Sequence, residues 1–424
     1  MADIGIIGSG IAGLQLALSL QQHGMAATIY AERTPEQELR RRLPSMVARN
    51  ACTRAREQQL AVNHWDQPSH DKVRLSMAIR GARPLTLAGT IAPPANAVDM
   101  RIYAARLLDD FSTRGGRVII RTVRAEQLED LASRHDLLVV ASGRANLSSI
   151  FPRVAEHSPF TRPQRLAIAG LFRGIGYAEP RTLEVIVNPG SGEILCVPIQ
   201  SFEPGLTGVA VLIAAGGLFE PLRHLRYETN PRTFVAALLA FLRAHATSIY
   251  ERIDPRAFDL SRPLDLTYAA ITPTVRQSFI ALANGRYAIA LGDAHVVIDP
   301  ITGQGANNAS HAAAALAGAI LDAEVFDRAF CRRVEQNICS YVVPVSDAAN
   351  ARLQPPTLHF RELLMAAARD QAIADVYGDS FNHPERFWAI ASSAERTAAF
   401  LIDVERRGTV SDAVWDARSH QPTA

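Results

Sequence analysis

Lysine is almost missing from this chain: Lys72 stands alone among 44 basic residues, and the rest are arginine. Chemistry that needs several amines is excluded, and any lysine-dependent step has a single candidate. Cysteine is scarce as well. Cys52, Cys196, Cys331 and Cys339 form no C-x-x-C pair and no metal-ligand cluster, so neither a metal site nor a disulfide framework is expected, and a reduced, cytoplasmic setting fits. No stretch approaches the ~18 apolar residues of a membrane span, and residues 234–242 are too short for one. The first apolar segment lacks the basic leader of a signal peptide. A net charge of +2 gives no field for nucleic acid. Internal repeats, low-complexity tracts and a second G-x-G-x-x-G are also missing.

What is present starts at the N-terminus, with Asp3-Ile4-Gly5-Ile6-Ile7-Gly8-Ser9-Gly10-Ile11-Ala12-Gly13. The apolar run 4–7 reads as a buried parallel strand and the leucines at 14, 16, 18 and 20 as a helix. Between them Gly8 makes the tight turn, Gly10 permits close approach of a diphosphate, and Gly13 lets helix pack on strand. The helix start offers unpaired N–H groups and a positive dipole end. A second strand at 27–30 ends before Glu32, placed to hold a ribose hydroxyl. A coincidental glycine-rich turn would not carry this whole context. A dinucleotide, FAD or NAD, is expected.

The 424 residues are too many for one core. A helix over 101–111, stopped by Gly115-Gly116, precedes strands at 118–120 and 136–140, the latter running into Ala141-Ser142-Gly143. Short β runs at 166–172, 183–187, 194–199 and 208–214 then alternate with turns, and a helix over 233–244 follows. The nucleotide pattern resumes at 287–293; beyond Val343 the chain reads as helical, broken at Pro355-Pro356, with a frayed tail after Arg407. The expected fold is α/β: a Rossmann-like dinucleotide-binding domain, an inserted antiparallel β-sheet domain, and C-terminal helices. The dinucleotide-binding domain would comprise 1–44, 96–158 and 276–346, and the inserted domain with the C-terminal helices 45–95, 159–275 and 347–424.

Flavin is favoured by Gly292-Asp293 followed by Asp299-Pro300-Ile301-Thr302-Gly303-Gln304-Gly305-Ala306-Asn307-Asn308 and an alanine-rich helix to 321. Asp293 would accept from the ribityl chain. The loop and helix start would favour an anionic reduced flavin. A structural Gly-Asp turn is the plainer alternative.

With these motifs in hand, the sequence resembles the styrene and indole monooxygenase family, specifically its epoxidase component. The resemblance runs from the glycine fingerprint through Ala97-Val98-Asp99-Met100-Arg101-Ile102-Tyr103, Ser158-Pro159-Phe160, Gly170-Leu171-Phe172-Arg173-Gly174-Ile175, Glu251-Arg252-Ile253-Asp254-Pro255 and Gly303-Gln304-Gly305-Ala306-Asn307 to Phe381-Asn382-His383-Pro384-Glu385-Arg386. It implies the FAD-binding fold of the flavin monooxygenase (hydroxylase) type, with the inserted β-sheet as substrate domain, and FAD used as FADH2 with O2 through a C4a-hydroperoxide. The reduced flavin would diffuse from a separate NADH-dependent flavin reductase. Styrene-like alkenes or indole-type aromatics would be the substrates, and a homodimer is compatible with it. Single-component aromatic hydroxylases have Asp-Gly where this chain has Ser142-Gly143. A halogenase would need a pocket lysine and usually W-x-W, and Trp65, Trp388 and Trp415 form no such pair.

The resemblance assigns FAD contacts to Gly8, Ser9, Gly10, Ile11, Ala12, Gly13, Glu32, Arg33, Arg101, Val123, Ala141, Ser142, Gly143, Gly292, Asp293, Pro300, Gly303, Gln304, Gly305, Ala306 and Asn307. Substrate contacts fall to Pro300 and Ile301 beside the flavin and to Ser45, Val47 and Arg49 on a facing loop. Styrene epoxidases carry Asn, Val and His at the positions of Ser45, Val47 and Arg49, and indole-type members Ser, Gln and Met. Arg49 is thus expected either on flavin or a polar substrate, or on a phosphate or the surface. No catalytic side chain is required, since the chemistry is the cofactor's. His295 reads as a plain loop histidine rather than a general base, and Trp65 and Trp388 as core.

Overall fold

The computed structural model describes residues 2–143 and 147–407; the expected frayed tail and Trp415 lie outside them. One sheet is built on the N-terminal strand. Its order is Phe279–Ala281, Tyr287–Ala290, Leu137–Val140, Asp3–Ile7, Ala26–Ala31 and Arg117–Ile120. All neighbours are parallel except the Phe279–Ala281 edge. Parallel strands are covered on both faces, which is why they read as unbroken apolar runs. Helix Ile11–Gln22 and helix Gly305–Leu321 pack here, with Leu14, Leu16, Leu20, Leu316 and Ile320 fully buried.

Helix Met100–Thr113 starts where Asp99 accepts from the Arg101 N–H at 2.9 Å, and ends at Gly115 with φ +86°.

The second sheet has nine strands. Its order is Asp259–Leu260, Arg165–Arg173, Thr207–Ala214, Gly192–Pro198, Thr182–Asn188, Lys72–Ile79, Leu85–Asp99 and Met46–Arg49, with Leu266–Ala270 also paired to Arg165–Arg173. Period-two alternation sorts its residues between two environments. Ile168, Ile194, Cys196, Val209, Val211 and Ile213 face helix Pro231–His245 and its Phe234, Leu238, Phe241 and Leu242. That helix begins at an Asn230 cap followed by Pro231, two residues before the expected start. The intervening residues, such as Ala167, Ala169, Leu195, Ala210 and Leu212, face a cavity instead.

Helix Arg328–Arg352 runs without interruption from the first core toward the C-terminal helices Leu358–Ala367, Gln371–Asp379, Pro384–Ala391 and Ala394–Arg407. Both the 95/96 and the 346/347 boundary expected from sequence fall inside continuous elements, strand Leu85–Asp99 and this helix.

Candidate functional site

Four neighbouring parallel strands end side by side, and the motif residues follow each end: Gly8 after Asp3–Ile7, Glu32 after Ala26–Ala31, Ser142 after Leu137–Val140, and Asp293 after Tyr287–Ala290. A crevice beyond the carboxyl ends of such strands is where nucleotides bind. The glycines differ sharply in what surrounds them. Gly8 has φ +114°, and a Cβ there would lie 2.8 Å from the Ala141 carbonyl oxygen. A Cβ on Gly13 would lie 2.1 Å from the Gly8 carbonyl oxygen, so only glycine lets the helix sit on the turn. At Gly10 nothing lies within 4 Å, which leaves backbone open to a ligand. A Cβ on Gly143 would meet the Asp293 Cβ at 2.7 Å, and one on Gly292 the Ala12 Cβ at 3.0 Å. The separated motifs therefore converge.

Glu32 and Arg33 are partly exposed at the crevice and pair with each other at 3.4 Å. Asp293 is exposed at the mouth. Ser9 and Ser142 lie partly exposed on the same edge, whereas Ile11, Ala12 and Val123 are buried and give it packing.

Asp299 accepts from the Ile301 N–H at 3.0 Å and so shapes the turn Pro300–Thr302; Gly303 follows with φ +65°. Burial pushes the Asp299 carboxyl up to about 6. Helix Gly305–Leu321 then begins, and the amides of Gly305, Ala306 and Asn307 have no acceptor within the helix.

The side chains of Gln304 and Asn307 are structural. Gln304 donates to the Phe381 carbonyl at 2.9 Å, and the Asn307 amide oxygen accepts from the Asn50 N–H at 3.0 Å and the Thr53 hydroxyl at 2.8 Å. These hydrogen bonds tie the helix start to the segments at residues 50–53 and 381.

Next to this turn lies a cavity of about 420 Å³, in the range of small-molecule sites. Of the residues assigned to substrate, Ser45, Pro300 and Ile301 line it, together with Gly303 and Gln304, which were assigned to FAD. The sheet supplies a floor of alanine, leucine and valine, and the C-terminal helices supply Leu364, Tyr377, Phe381 and Trp388. Trp65 is core, stacked on Tyr103 at 4.9 Å. Trp388 packs on the C-terminal hydrophobic cluster, and its helix also turns it into the cavity wall.

Val47 and Arg49 do not reach that wall. The segment is a strand, not a loop, so Met46 and Ala48 face the cavity while Val47 and Arg49 turn into the neighbouring core. Arg49 is completely buried, ion-paired to the equally buried Glu57, and donates to the Trp65 carbonyl at 3.0 Å. Burial raises the Glu57 carboxyl above its usual range, with Arg49 and the Tyr103 hydroxyl opposing. Arg49 is therefore no part of the cavity wall.

Arg101 is corrected in the same way. It is 1% exposed and grips Asp99 and Asp265, at 2.6 and 2.7 Å, so it ties two parts of the second sheet rather than holding cofactor.

His295 is buried beside Cys339, and burial lowers its ring to about 4, which keeps it neutral. Among the described residues no cluster of His, Cys, Asp and Glu could hold a metal ion, and no helix is long and apolar enough to cross a membrane.

Sequence reasoning also missed Lys72, which lines the cavity. Its scarcity was the only available signal.

The comparisons agree with this geometry. Residues 143–252 match the family described as "Styrene monooxygenase A putative substrate binding domain". The chain is 37% identical over 400 residues to styrene monooxygenase StyA of Pseudomonas fluorescens, covering 93% of this chain and 96% of that protein. Among solved structures, the flavin-dependent brominase Bmp2 superposes with a TM-score of 0.65 at 15% identity, over 96% of this chain and 100% of that one. Klebsiella pneumoniae HpxO, solved with FAD and uric acid, gives 0.60 at 18% identity, over 91% and 97%. Those two likenesses establish the flavoprotein fold. With the identity to the Pseudomonas enzyme running through nearly its whole length, the chain belongs to the styrene monooxygenase family and is a flavin-dependent monooxygenase of the epoxidase type.

Proposed function

We propose that this protein takes FADH2 from a separate NADH-dependent flavin reductase, together with O2, and epoxidises styrene-like alkenes or oxygenates indole-type aromatics. The observation that carries the reading is a glycine-lined crevice at the strand ends together with a largely apolar cavity at the turn Pro300–Thr302. The sequence holds a single nucleotide fingerprint.

The residues fit FAD. Gly10 leaves room that a side chain would occupy, and the start of helix Gly305–Leu321 presents backbone donors. On this reading Glu32 holds the adenosine ribose, Gly8 to Gly13 the diphosphate, Asp293 the ribityl chain, and residues 300–306 the ring edge. The strands around that crevice form the FAD-binding part, and the nine-stranded sheet with the C-terminal helices forms the substrate part. When bound, reduced FAD would supply the two electrons that activate O2, one atom of which enters the product while the other leaves as water.

The chain's own contribution is placement and dryness. Ile301, Met46 and Trp388 confine a flat apolar guest, and the apolar walls keep out water that would divert the oxygen to peroxide. No side chain needs to move a proton at the alkene. His295, buried and neutral, is not positioned to do so.

The test supplies NADH, flavin reductase and FAD with styrene, indole and thioanisole. Oxygenated products that depend on the reductase are expected, and their absence would overturn the reading. One observation favours a second reading, halogenation: Lys72 does line the cavity. Adding bromide to the same assay separates the two, since a brominated indole would replace the oxygenase reading.

A further inference from the structure

The cavity's polar wall residues are mostly engaged with the fold. Glu193 meets Arg165 through two contacts at 3.0 and 3.1 Å, and Arg352 donates to the Ala348 carbonyl at 2.8 Å. Lys72 is different. It opens strand Lys72–Ile79 opposite Ala95, and the pairing slips between Lys72 and Arg74. Without that slip Lys72 would share a face with Arg74 and Ser76. The slip instead sets it in the cavity wall with Leu75, Met77 and Ile79, while Val73 turns out to solvent. Its side chain is 0% exposed, and its Nζ has no hydrogen-bond partner. A buried amine with nothing to donate to weakens the fold, and a methionine of similar length would not.

We propose that Lys72 is the polar anchor of the cavity and selects aromatic alkenes that carry an oxygen acceptor, a carbonyl or a carboxylate, over plain hydrocarbons. The inference rests on the monooxygenase reading above and names its substrate class. Across the sheet, Lys72 pairs with Ala95, and Ala97 pairs with Ala48, whose Cβ would lie 3.6 Å from a Cβ on Gly303. Two strand spacings and a two-residue offset along the strand, roughly 12 Å together, therefore separate the Lys72 backbone from Ala48 beside the flavin-side turn. A styrene ring spans such a gap with its vinyl group at one end and a para substituent at the other.

The charged neighbours of the amine are Arg49, Arg54 and Asp71; burial and the two arginines hold the ammonium well below the ordinary lysine range, with Asp71 opposing. A guest carboxylate would restore the charged form and make a charge-assisted bond. A guest carbonyl accepts from the amine in either form.

The experiment measures equilibrium binding of styrene, 4-acetylstyrene and 4-vinylbenzoate to the FAD-loaded protein, and the epoxidation ratio of the same three in competition. Wild type should bind at least one acceptor-bearing alkene about tenfold more tightly than styrene. Lys72→Met should reverse that order, and Lys72→Arg should retain part of it. Preference for 4-vinylbenzoate alone assigns a carboxylate, and for both a neutral acceptor as well. A wild type without preference, or an unchanged preference in Lys72→Met and in a second variant, Lys72→Gln, would overturn the inference. Absence of epoxide from all three substrates would count against the monooxygenase reading alone, because binding decides the anchor.

Discussion

Replacing Arg49 by methionine is expected to lower the apparent unfolding free energy of the apoprotein by about 3–5 kcal/mol, the range for removing one partner of a buried ion pair. Arg49 and Glu57 are both fully buried, and Arg49 also donates to the Trp65 carbonyl and stands 3.7 Å from Asp66. Its loss leaves the Glu57 carboxylate with only the Tyr103 hydroxyl, at 2.8 Å. Glu57 is already held above its usual range by burial, and losing the arginine that opposes burial raises it further. In the folded variant Glu57 then keeps its proton at pH values where the unfolded chain has released it. From the ordinary carboxylate value upward, each pH unit therefore removes about 1.4 kcal/mol until the raised value is passed. The defect should therefore grow as the pH rises above the ordinary carboxylate range. Arg49→Met with Glu57→Gln should recover most of the loss and flatten the pH dependence. Urea melts followed by tryptophan fluorescence suit the purpose, since the Arg49 guanidinium lies 5.6 Å from the Trp65 ring. A loss below about 1 kcal/mol that does not vary with pH, accompanied by an altered substrate ratio, would refute the reasoning and return Arg49 to the cavity.

Gly10→Ala should leave the melting temperature of the apoprotein unchanged yet weaken FAD binding by about tenfold or more, because its Cβ meets only open space. Gly13→Ala should lower the apoprotein melting temperature directly, since its Cβ would strike the Gly8 carbonyl. Asp293→Ala and Glu32→Ala should each weaken FAD binding by about 1–3 kcal/mol in fluorescence titrations. His295, neutral in the fold down to about 4, contributes stability that is present above the unfolded value near 6.5 and is lost as pH falls through that window. His295→Gln should remove about 3 kcal/mol of acid sensitivity from the melts. Trp388→Ala should shift competition between styrene and a vinylnaphthalene toward the larger alkene.

The nucleotide part was legible because local patterns specify it: glycines at fixed offsets, apolar runs long enough for parallel strands, and small residues after each strand. The second sheet was legible as alternation, though not which face would be a cavity. That depends on helices contributed more than a hundred residues later. Arg49 was misplaced because residues 45–50 were read as a loop, and strand alternation sends every second side chain the other way. Arg101 was misplaced because a partner, Asp265, is 164 residues distant. Lys72 was missed because its position depends on a slip against the partner strand, which carries Pro93 and Pro94. Trp388 lacked any local cue for its place in the cavity wall, since only tertiary packing sets it there.

The central claim is that this chain needs only reduced flavin and oxygen from outside. FAD reduced photochemically, with neither nicotinamide nor reductase present, should be mixed anaerobically with the protein and styrene and then exposed to 18O2. The account predicts styrene oxide bearing one 18O, in an amount limited by the FADH2 supplied. Flavin that reoxidises without forming epoxide, while NADH added to the protein and FAD alone supports turnover, would contradict it.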